Sequence, residues 1–346
     1  MGTTSGCTGD NGQTSSSTGD SGQASSSVPE TVRIRRALGD AFLEVPAVGL
    51  GTWSWGAAKW GWRTWDARLT RRGVLRAWDA FVDGGGGLVD TADDYGAGLS
   101  ERLVGVGLAR NATNVFVATK GGGRPSELVS AASASCERLG VDRVALYQLH
   151  SVCEPIERAA DGLAAVAKAG LCDAVGACNH DVAQLERLRA RLERRGVALG
   201  AAQVEASLLS QDAFARDGVH DWCAARGVAL LAYAPLASGR LARRVVDGEL
   251  RPAMTEKAKR GFGRADDAKL KPLLRRLGDA PAAAALRWLT AHGGVVAIPG
   301  CKTADQVVAT VAAARAFGPP ADGDALAAAG RAAAGRPRPA ARKRRG

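Results

Sequence analysis

Residues 144–179, VALYQLHSVCEPIERAADGLAAVAKAGLCDAVGACN, decide how the rest of the chain is read. Val144–Leu149 is a short β-leaning run that is largely apolar on both parities, the pattern of a strand covered on both faces. Glu154-Pro155 then opens a stretch, Ile156–Ala169, whose apolar residues recur at helical spacing. Ala174–Cys178 returns to an apolar, strand-like run. A strand, a helix and a second strand in 36 residues make one βαβ unit.

The same alternation extends in both directions. β-Leaning runs recur at Ala47–Gly51, Gly87–Asp90, Val115–Lys120, Ala201–Glu205, Val228–Tyr233 and Val295–Pro299, which brings the strands to eight. Helical periodicity fills the gaps at Leu69–Val82, Glu101–Ala109, Leu128–Leu139 after a cap at Ser126, Val182–Arg194 after Asp181, and Ala280–Ala291. Eight strands alternating with helices predict an α/β fold, a single (β/α)8 TIM barrel over residues 31–330. An open doubly wound sheet is the competing architecture. It needs a Gly-x-Gly-x-x-Gly turn opening a helix near the N-terminus, and none is present.

The flanks differ in texture. Residues 1–30 are rich in Ser, Thr and Gly and hold too little apolar surface to offset chain entropy, so a disordered leader is expected. Residues 331–346 read as a basic disordered tail: six of the positive charges fall in the last eleven residues, and without them the net charge drops from +11 to +5. A basic tail can engage an anionic partner, but a solvated terminus is the simpler reading. The body is therefore expected to bind no nucleic acid.

Composition narrows the class further. The 346-residue chain is 46% hydrophobic, which excludes wholesale disorder. No apolar stretch approaches the roughly 18 residues of a membrane span, and residues 1–30 hold no apolar segment of the secretory kind. Seven cysteines, at 7, 136, 153, 172, 178, 223 and 301, form no Cys-x-x-Cys pair. That pattern argues against a disulfide framework or a structural zinc and for a reducing, intracellular compartment.

A barrel of this kind carries its chemistry just after the strands, at the C-terminal rim. The second strand ends at Asp90, followed by Thr91-Ala-Asp-Asp-Tyr95-Gly; the third ends at Lys120 and the fourth at His150. The fifth ends at Asn179, the sixth carries Gln203 and Glu205, and the seventh ends at Tyr233. A Tyr, a Lys, an Asp and a His on one rim suit proton donation to a carbonyl. Tyrosine holds its proton at neutral pH. An ammonium such as Lys120 favours the phenolate and is expected to lower the tyrosine pKa. Asp90 would hold that ammonium in place, and a neutral His150 can orient a substrate carbonyl. Any of these residues alone is as readily a loop anchor, an ion-pair partner or a core histidine.

These segments resemble the aldo-keto reductases: Gly49-Leu-Gly-Thr-Trp53, Asp90-Thr-Ala-Asp-Asp-Tyr95-Gly, Ala118-Thr-Lys120, Leu146-Tyr-Gln-Leu-His150, Val175-Gly-Ala-Cys-Asn179, Gln203-Val-Glu, Ala232-Tyr-Ala-Pro-Leu-Ala-Ser-Gly239 and Ile298-Pro-Gly-Cys-Lys-Thr. They follow the family's order and spacing across the chain. The Gly51-Thr-Trp-Ser-Trp-Gly opening followed by Trp60-Gly-Trp62 is most similar to plastid-type members of plants and algae, which sets a plastid beside the cytoplasm as a location.

The resemblance implies an NADP-dependent oxidoreductase of the alcohol dehydrogenase type, reducing an aldehyde or ketone with NADPH. Tyr95 would be the proton donor, with Asp90, Lys120 and His150 completing a tetrad. Gly51, Thr52 and Trp53 would line the cofactor site. Tyr233 would stack on the nicotinamide, and Asn179 and Gln203 would hold its carboxamide. The loop carrying Leu236, Ser238 and Gly239 would cover the pyrophosphate; Lys302, Thr303 and Gln306 would line the adenosine end. An ammonium at Lys302 suits a 2′-phosphate. Trp55 is expected at the substrate pocket. No metal is expected, and the partner is a small carbonyl compound acting on a monomer or weak oligomer. A non-catalytic NADPH-binding sensor on the same barrel is the other function these residues leave open.

The chain departs from the family pattern in places. Cys178 stands where the family has Ser, Ala234 where it has Ser, and Ala309-Thr310 where it has Glu-Asn. Gly84–Gly87 precedes a strand and reads as a helix stop and turn. The tryptophans at 53, 55, 60, 62 and 65 are expected at the pocket mouth or under the first loop.

Overall fold

A computed structural model describes residues 31–64, 66–122, 124–246, 249–250, 267–316, 320 and 322–334. The expected leader, residues 1–30, lies outside them. So does most of the expected tail, although its first residues belong to a helix that runs to Ala333.

Eight parallel strands form the barrel: β3 (Leu50–Gly51), β4 (Gly87–Asp90), β5 (Val115–Gly121), β6 (Val144–Leu149), β7 (Cys172–Cys178), β8 (Leu199–Glu205), β9 (Ala229–Tyr233) and β12 (Val295–Ile298). Each pairs with the next in sequence order except at the seam, where bridges from Val48 to Ala297 and from Gly51 to Gly300 join first strand to last. At that seam Gly49 N donates to Ala297 O at 2.8 Å and Gly51 N to Pro299 O at 2.9 Å.

The helices return the chain between strands: α1 (Arg71–Asp83), α2 (Leu99–Arg110), α3 (Leu128–Leu139), α4 (Ile156–Lys168), α5 (Val182–Arg194), α6 (Val219–Ala224), α7 (Asp267–Leu277) and α8 (Pro281–Thr290). The caps have local causes. Thr70 accepts from Gly73 N to start α1, and Asp181 accepts from Gln184 N to start α5. At α3 the expected Ser126 cap is absent: Ser126 sits inside a 3-10 turn, Pro125–Glu127, that leads straight into the helix. After β12 come α9 (Ala304–Gln306), a π-helical stretch Val307–Ala312, and α10 (Ala313–Ala316); α11 (Gly323–Ala333) closes the described chain.

Two elements lie outside the expected barrel pattern. A hairpin of β1 (Thr31–Arg35) and β2 (Phe42–Pro46) covers the end of the barrel from which the strands start. Its buried residues Ile34, Leu43 and Val45 pack with Leu88, Leu146 and Val296 in the barrel interior. Gly200 permits this approach, because a Cβ there would meet the Arg35 carbonyl at 2.4 Å. A short pairing of β10 (Val245–Val246) with β11 (Glu249–Leu250) follows β9. A second, larger core fills the space between strands and helices and holds Trp78, Phe81 and Tyr147. The plug leaves the opposite rim, where the strands end, as the open face. No helix among the described residues is long and apolar enough to cross a membrane.

Candidate active site

β4, β5 and β6 deliver Asp90, Lys120 and His150 to that rim, as the strand ends require. Lys120 Nζ donates to Asp90 Oδ2 at 2.7 Å and to the Thr91 carbonyl at 2.7 Å. Asp90 Oδ1 accepts from Gln203 Nε2 at 2.8 Å, and the Asp90 carbonyl accepts from Thr52 Oγ1 at 2.9 Å. Lys120 is 1% exposed and Asp90 3%. Such a charge pair persists in the interior only because each charge is paired and further hydrogen-bonded. Burial pulls the Lys120 ammonium down, but Asp90 and Tyr95 outweigh it, so its pKa ends above the ordinary lysine value.

Tyr95 lies over this pair, with Lys120 Nζ 4.8 Å from its ring centre. The His150 ring meets it edge-on at 5.7 Å between centroids. The sequence reading expects Lys120 to lower the Tyr95 pKa. The structure places the net shift upward, to about 12, because burial outweighs the Lys120 charge and Asp90 adds to it. The phenol is therefore fully protonated near neutral pH. Burial, then the Lys120 charge, hold His150 below the ordinary histidine value, against Asp94, whose carboxylate lies 3.4 Å from His150 Nδ1. Neutral imidazole is thus the form present near pH 7.

Beside the tetrad lies a cavity of about 490 Å³ lined by Asp93, Asp94, Gly122, His150, Ser151 and Asn179. Asp93 and Asp94 have no role assigned from the sequence, because nothing in the motif separates them from the turn that carries Tyr95. Gln148 was also missed. It is fully buried beneath the rim and accepts from Gln203 Nε2 at 3.4 Å.

The residues expected around a nicotinamide cofactor fall on the same rim. Asn179, at φ 64°, accepts from the Tyr233 hydroxyl at 3.0 Å and donates to the His150 carbonyl at 3.2 Å. Gln203, 1% exposed, lies on the floor of the site, where it donates to Asp90 at 2.8 Å and accepts from the Cys178 thiol at 3.5 Å. Cys178 itself is pushed up to about 12 by burial and stays a thiol. Thr52 is fully buried, in a hydroxyl network with Ser100. Gly51 sits on the seam opposite Gly300.

Leu236, Ser238 and Gly239 follow β9 in a turn where Ala237, Ser238 and Gly239 all have positive φ. Non-glycine residues adopt that conformation at a cost, and they cluster where a structure clamps a ligand. A Cβ on Gly239 would meet nothing within 4 Å, and one on Gly300 only the Gly51 carbonyl at 3.8 Å. Both glycines leave bare backbone along the rim, which suits a flat, extended group laid across it.

At the far side, Thr303 caps α9 by accepting from Gln306 N, and Gln306 Oε1 accepts from Lys302 N at 2.8 Å. Lys302 Nζ donates to Asp66 Oδ2 at 2.9 Å.

The tryptophans divide. Trp55, expected at the substrate pocket, is fully buried with its indole N–H on the Cys301 carbonyl at 3.0 Å, so it packs under the loop instead. Trp62 is buried as well. Trp53 is 37% exposed and lies 4.2 Å from the Trp60 ring. Its partner ring, Trp60, is half-buried. Trp65 falls outside the described residues.

Comparison with known proteins agrees with this geometry. The profile described as "Aldo/keto reductase family" matches residues 47–321. An uncharacterized oxidoreductase of Mycobacterium tuberculosis is 33% identical over 287 residues, covering 80% of this chain and 86% of that protein. The chloroplastic pyridoxal reductase of Arabidopsis thaliana is 32% identical over 298 residues, covering 77% and 78%. Among solved structures, an aldo-keto reductase from Klebsiella pneumoniae in complex with NADPH superposes with a TM-score of 0.64 at 24% identity, covering 86% of this chain and 94% of that one.

Proposed function

The chain belongs to the aldo/keto reductase family, and we propose that it reduces an aldehyde or ketone to an alcohol with NADPH, using Tyr95 as the proton donor. The observation that carries this reading is the buried Lys120–Asp90 pair under the Tyr95 ring, with His150 edge-on to it. When bound, NADPH would supply hydride for the carbonyl carbon. Tyr95 gives its proton to the carbonyl oxygen as negative charge builds there. Its phenolate is then stabilised by the ammonium beside it, which Asp90 holds charged and in place. The neutral His150 orients the carbonyl.

Asn179 and Tyr233 would hold the nicotinamide, with Gln203 positioning Asp90 from below. The turn Leu236–Gly239 and the bare backbone at Gly300 would take the pyrophosphate, and Lys302 the 2′-phosphate. The NADPH complex of the Klebsiella pneumoniae protein, whose fold this chain shares, supports the cofactor choice. The pyridoxal reductase relative suggests pyridoxal as one aldehyde to try. The resemblance to plastid-type members suggests a plastid as one location and leaves the cytoplasm equally open.

Steady-state consumption of NADPH with a panel of aldehydes, pyridoxal and short aliphatic ones included, tests the reading. Turnover dependent on Tyr95 is the expected result. Tight NADPH binding with no turnover on any member would instead favour a nucleotide sensor.

A further inference from the structure

The loop before α1 carries a carboxylate that the proposed chemistry does not use. Asp66 is 5% exposed and is gripped by two cations. Arg68 holds it through Nε to Oδ1 at 2.8 Å and a terminal guanidinium nitrogen to Oδ2 at 2.7 Å, with the Arg68 backbone N–H on Oδ1 at 3.2 Å. Lys302, 236 residues further along the chain, reaches Oδ2 at 2.9 Å. Arg68 first, then Lys302, hold the carboxyl well below the usual carboxylate range, against the opposing effect of burial. Asp66 is therefore ionised at every pH of interest. Two cations share this one carboxylate, and Lys302 is the one proposed above for the adenosine end.

We propose that Asp66 competes with the cofactor's 2′-phosphate for Lys302, while Arg68 holds Asp66 back, so that the Asp66–Arg68 pair sets the preference between NADPH and NADH. The inference rests on the cofactor reading above and names the residues that tune it. A phosphate arriving at Lys302 meets a carboxylate 2.9 Å from the same ammonium. Like charges on one cation repel, and the ammonium divided between them gives less to each. Arg68 offsets this, because its three bonds keep Asp66 neutralised when Lys302 turns to the phosphate. NADH carries no charge at that position and is indifferent to the exchange.

The two partners therefore act in opposite directions. Asp66→Asn keeps the shape and removes the competing charge from beside Lys302. Arg68→Met makes Asp66 lean on Lys302 alone. A purely structural role, with Asp66 pinning the loop to the end of β12, predicts something else: both substitutions loosen the loop and weaken both cofactors alike. The loop keeps a second anchor in either variant, the Trp55 indole on the Cys301 carbonyl.

The test titrates NADPH and NADH against wild type, Asp66→Asn and Arg68→Met by tryptophan fluorescence, with melting curves to confirm folding. For a half-buried ion pair the expected shifts are about 3–10-fold: tighter NADPH for Asp66→Asn, weaker for Arg68→Met, and NADH within about twofold throughout. In a Lys302→Met background both shifts in NADPH should vanish. Parallel losses for both cofactors, or shifts that survive Lys302→Met, overturn the inference while turnover leaves the carbonyl reductase reading standing. If wild type binds neither nucleotide, both fall together. If Asp66→Asn does not fold, Arg68→Met and its Lys302→Met double variant decide alone.

Discussion

The Lys120 ammonium lies 4.8 Å from the centre of the Tyr95 ring while donating to the Asp90 carboxylate at 2.7 Å. Burial nevertheless keeps the phenol pKa near 12. On the proposed mechanism the tyrosine would hold its proton until charge develops on a substrate oxygen, and the ammonium would then stabilise the phenolate left behind. Tyr95→Phe keeps the ring and removes the proton. Its kcat should fall by about 10² to 10⁴-fold, with NADPH affinity nearly unchanged. Retention of more than about a tenth of wild-type kcat would remove Tyr95 as the donor and make His150 the next residue to test.

Replacing Lys120 with Met has two expected consequences, because the lysine serves both charge and packing. The phenolate loses its stabilising cation, so kcat should drop by at least about 10²-fold. Asp90 is left buried with Gln203 as its remaining side-chain partner. Stranding one member of a buried pair costs about 3–5 kcal/mol, so urea unfolding should shift to markedly lower concentration. A variant as stable as wild type would mean that Asp90 finds solvent or a proton at little cost.

The sequence disclosed the barrel because each central strand is apolar on both faces and each long helix is periodic. The β1–β2 hairpin escaped because its two five-residue strands bury alternate residues only and set Arg and Glu outward. α7 escaped because Pro272 interrupts a helical pattern dense in charge. The tetrad was legible because strand ends and a local motif mark it. The direction of the Tyr95 shift was not, since burial is a tertiary quantity that no motif carries. Nor was the contact of Asp66 with Lys302, which joins an aperiodic loop to the loop after the last strand across most of the chain. Trp55 and Trp53 occupy one short motif, and only packing reveals which is buried.

His150 titrates below the ordinary histidine value near 6.5, since burial and Lys120 disfavour its charged form. A group with a lowered pKa stays neutral until the pH falls through that lowered value. The acid limb of kcat/KM should therefore lie below pH 6.5. Asp94 works against this shift, so Asp94→Asn should move the limb to still lower pH. A limb that moves upward, or stays fixed while Asp90, Lys120 and Tyr95 are intact, would assign it to another group.

The cavity beside the tetrad predicts how the enzyme treats charged aldehydes. Asp93 and Asp94 line it with His150, Ser151 and Asn179, and none of its described lining residues is a Lys or Arg. An aldehyde bearing a carboxylate must bring that charge toward two others. Unit charges 5 Å apart in water repel by about 0.8 kcal/mol, which is roughly fourfold in kcat/KM for each carboxylate. Neutral aldehydes should therefore outperform carboxylate-bearing aldehydes of matched size by about 4–15-fold. Salt should narrow the gap, because exposed charges are screened beyond about 8 Å at physiological ionic strength and at shorter range in stronger salt. Asp94→Asn should narrow it too, leaving the neutral substrate little affected. Burial, with Asp94 and Glu101, makes Asp93 hold its proton to higher pH than an ordinary aspartate, so the gap should also shrink as the medium becomes acidic. Competition between a neutral and a carboxylate-bearing aldehyde at low and high salt is the measurement. Equal use of the two, or a preference for the anion that Asp94→Asn leaves unchanged, would show that substrate charge is read elsewhere than at Asp93 and Asp94.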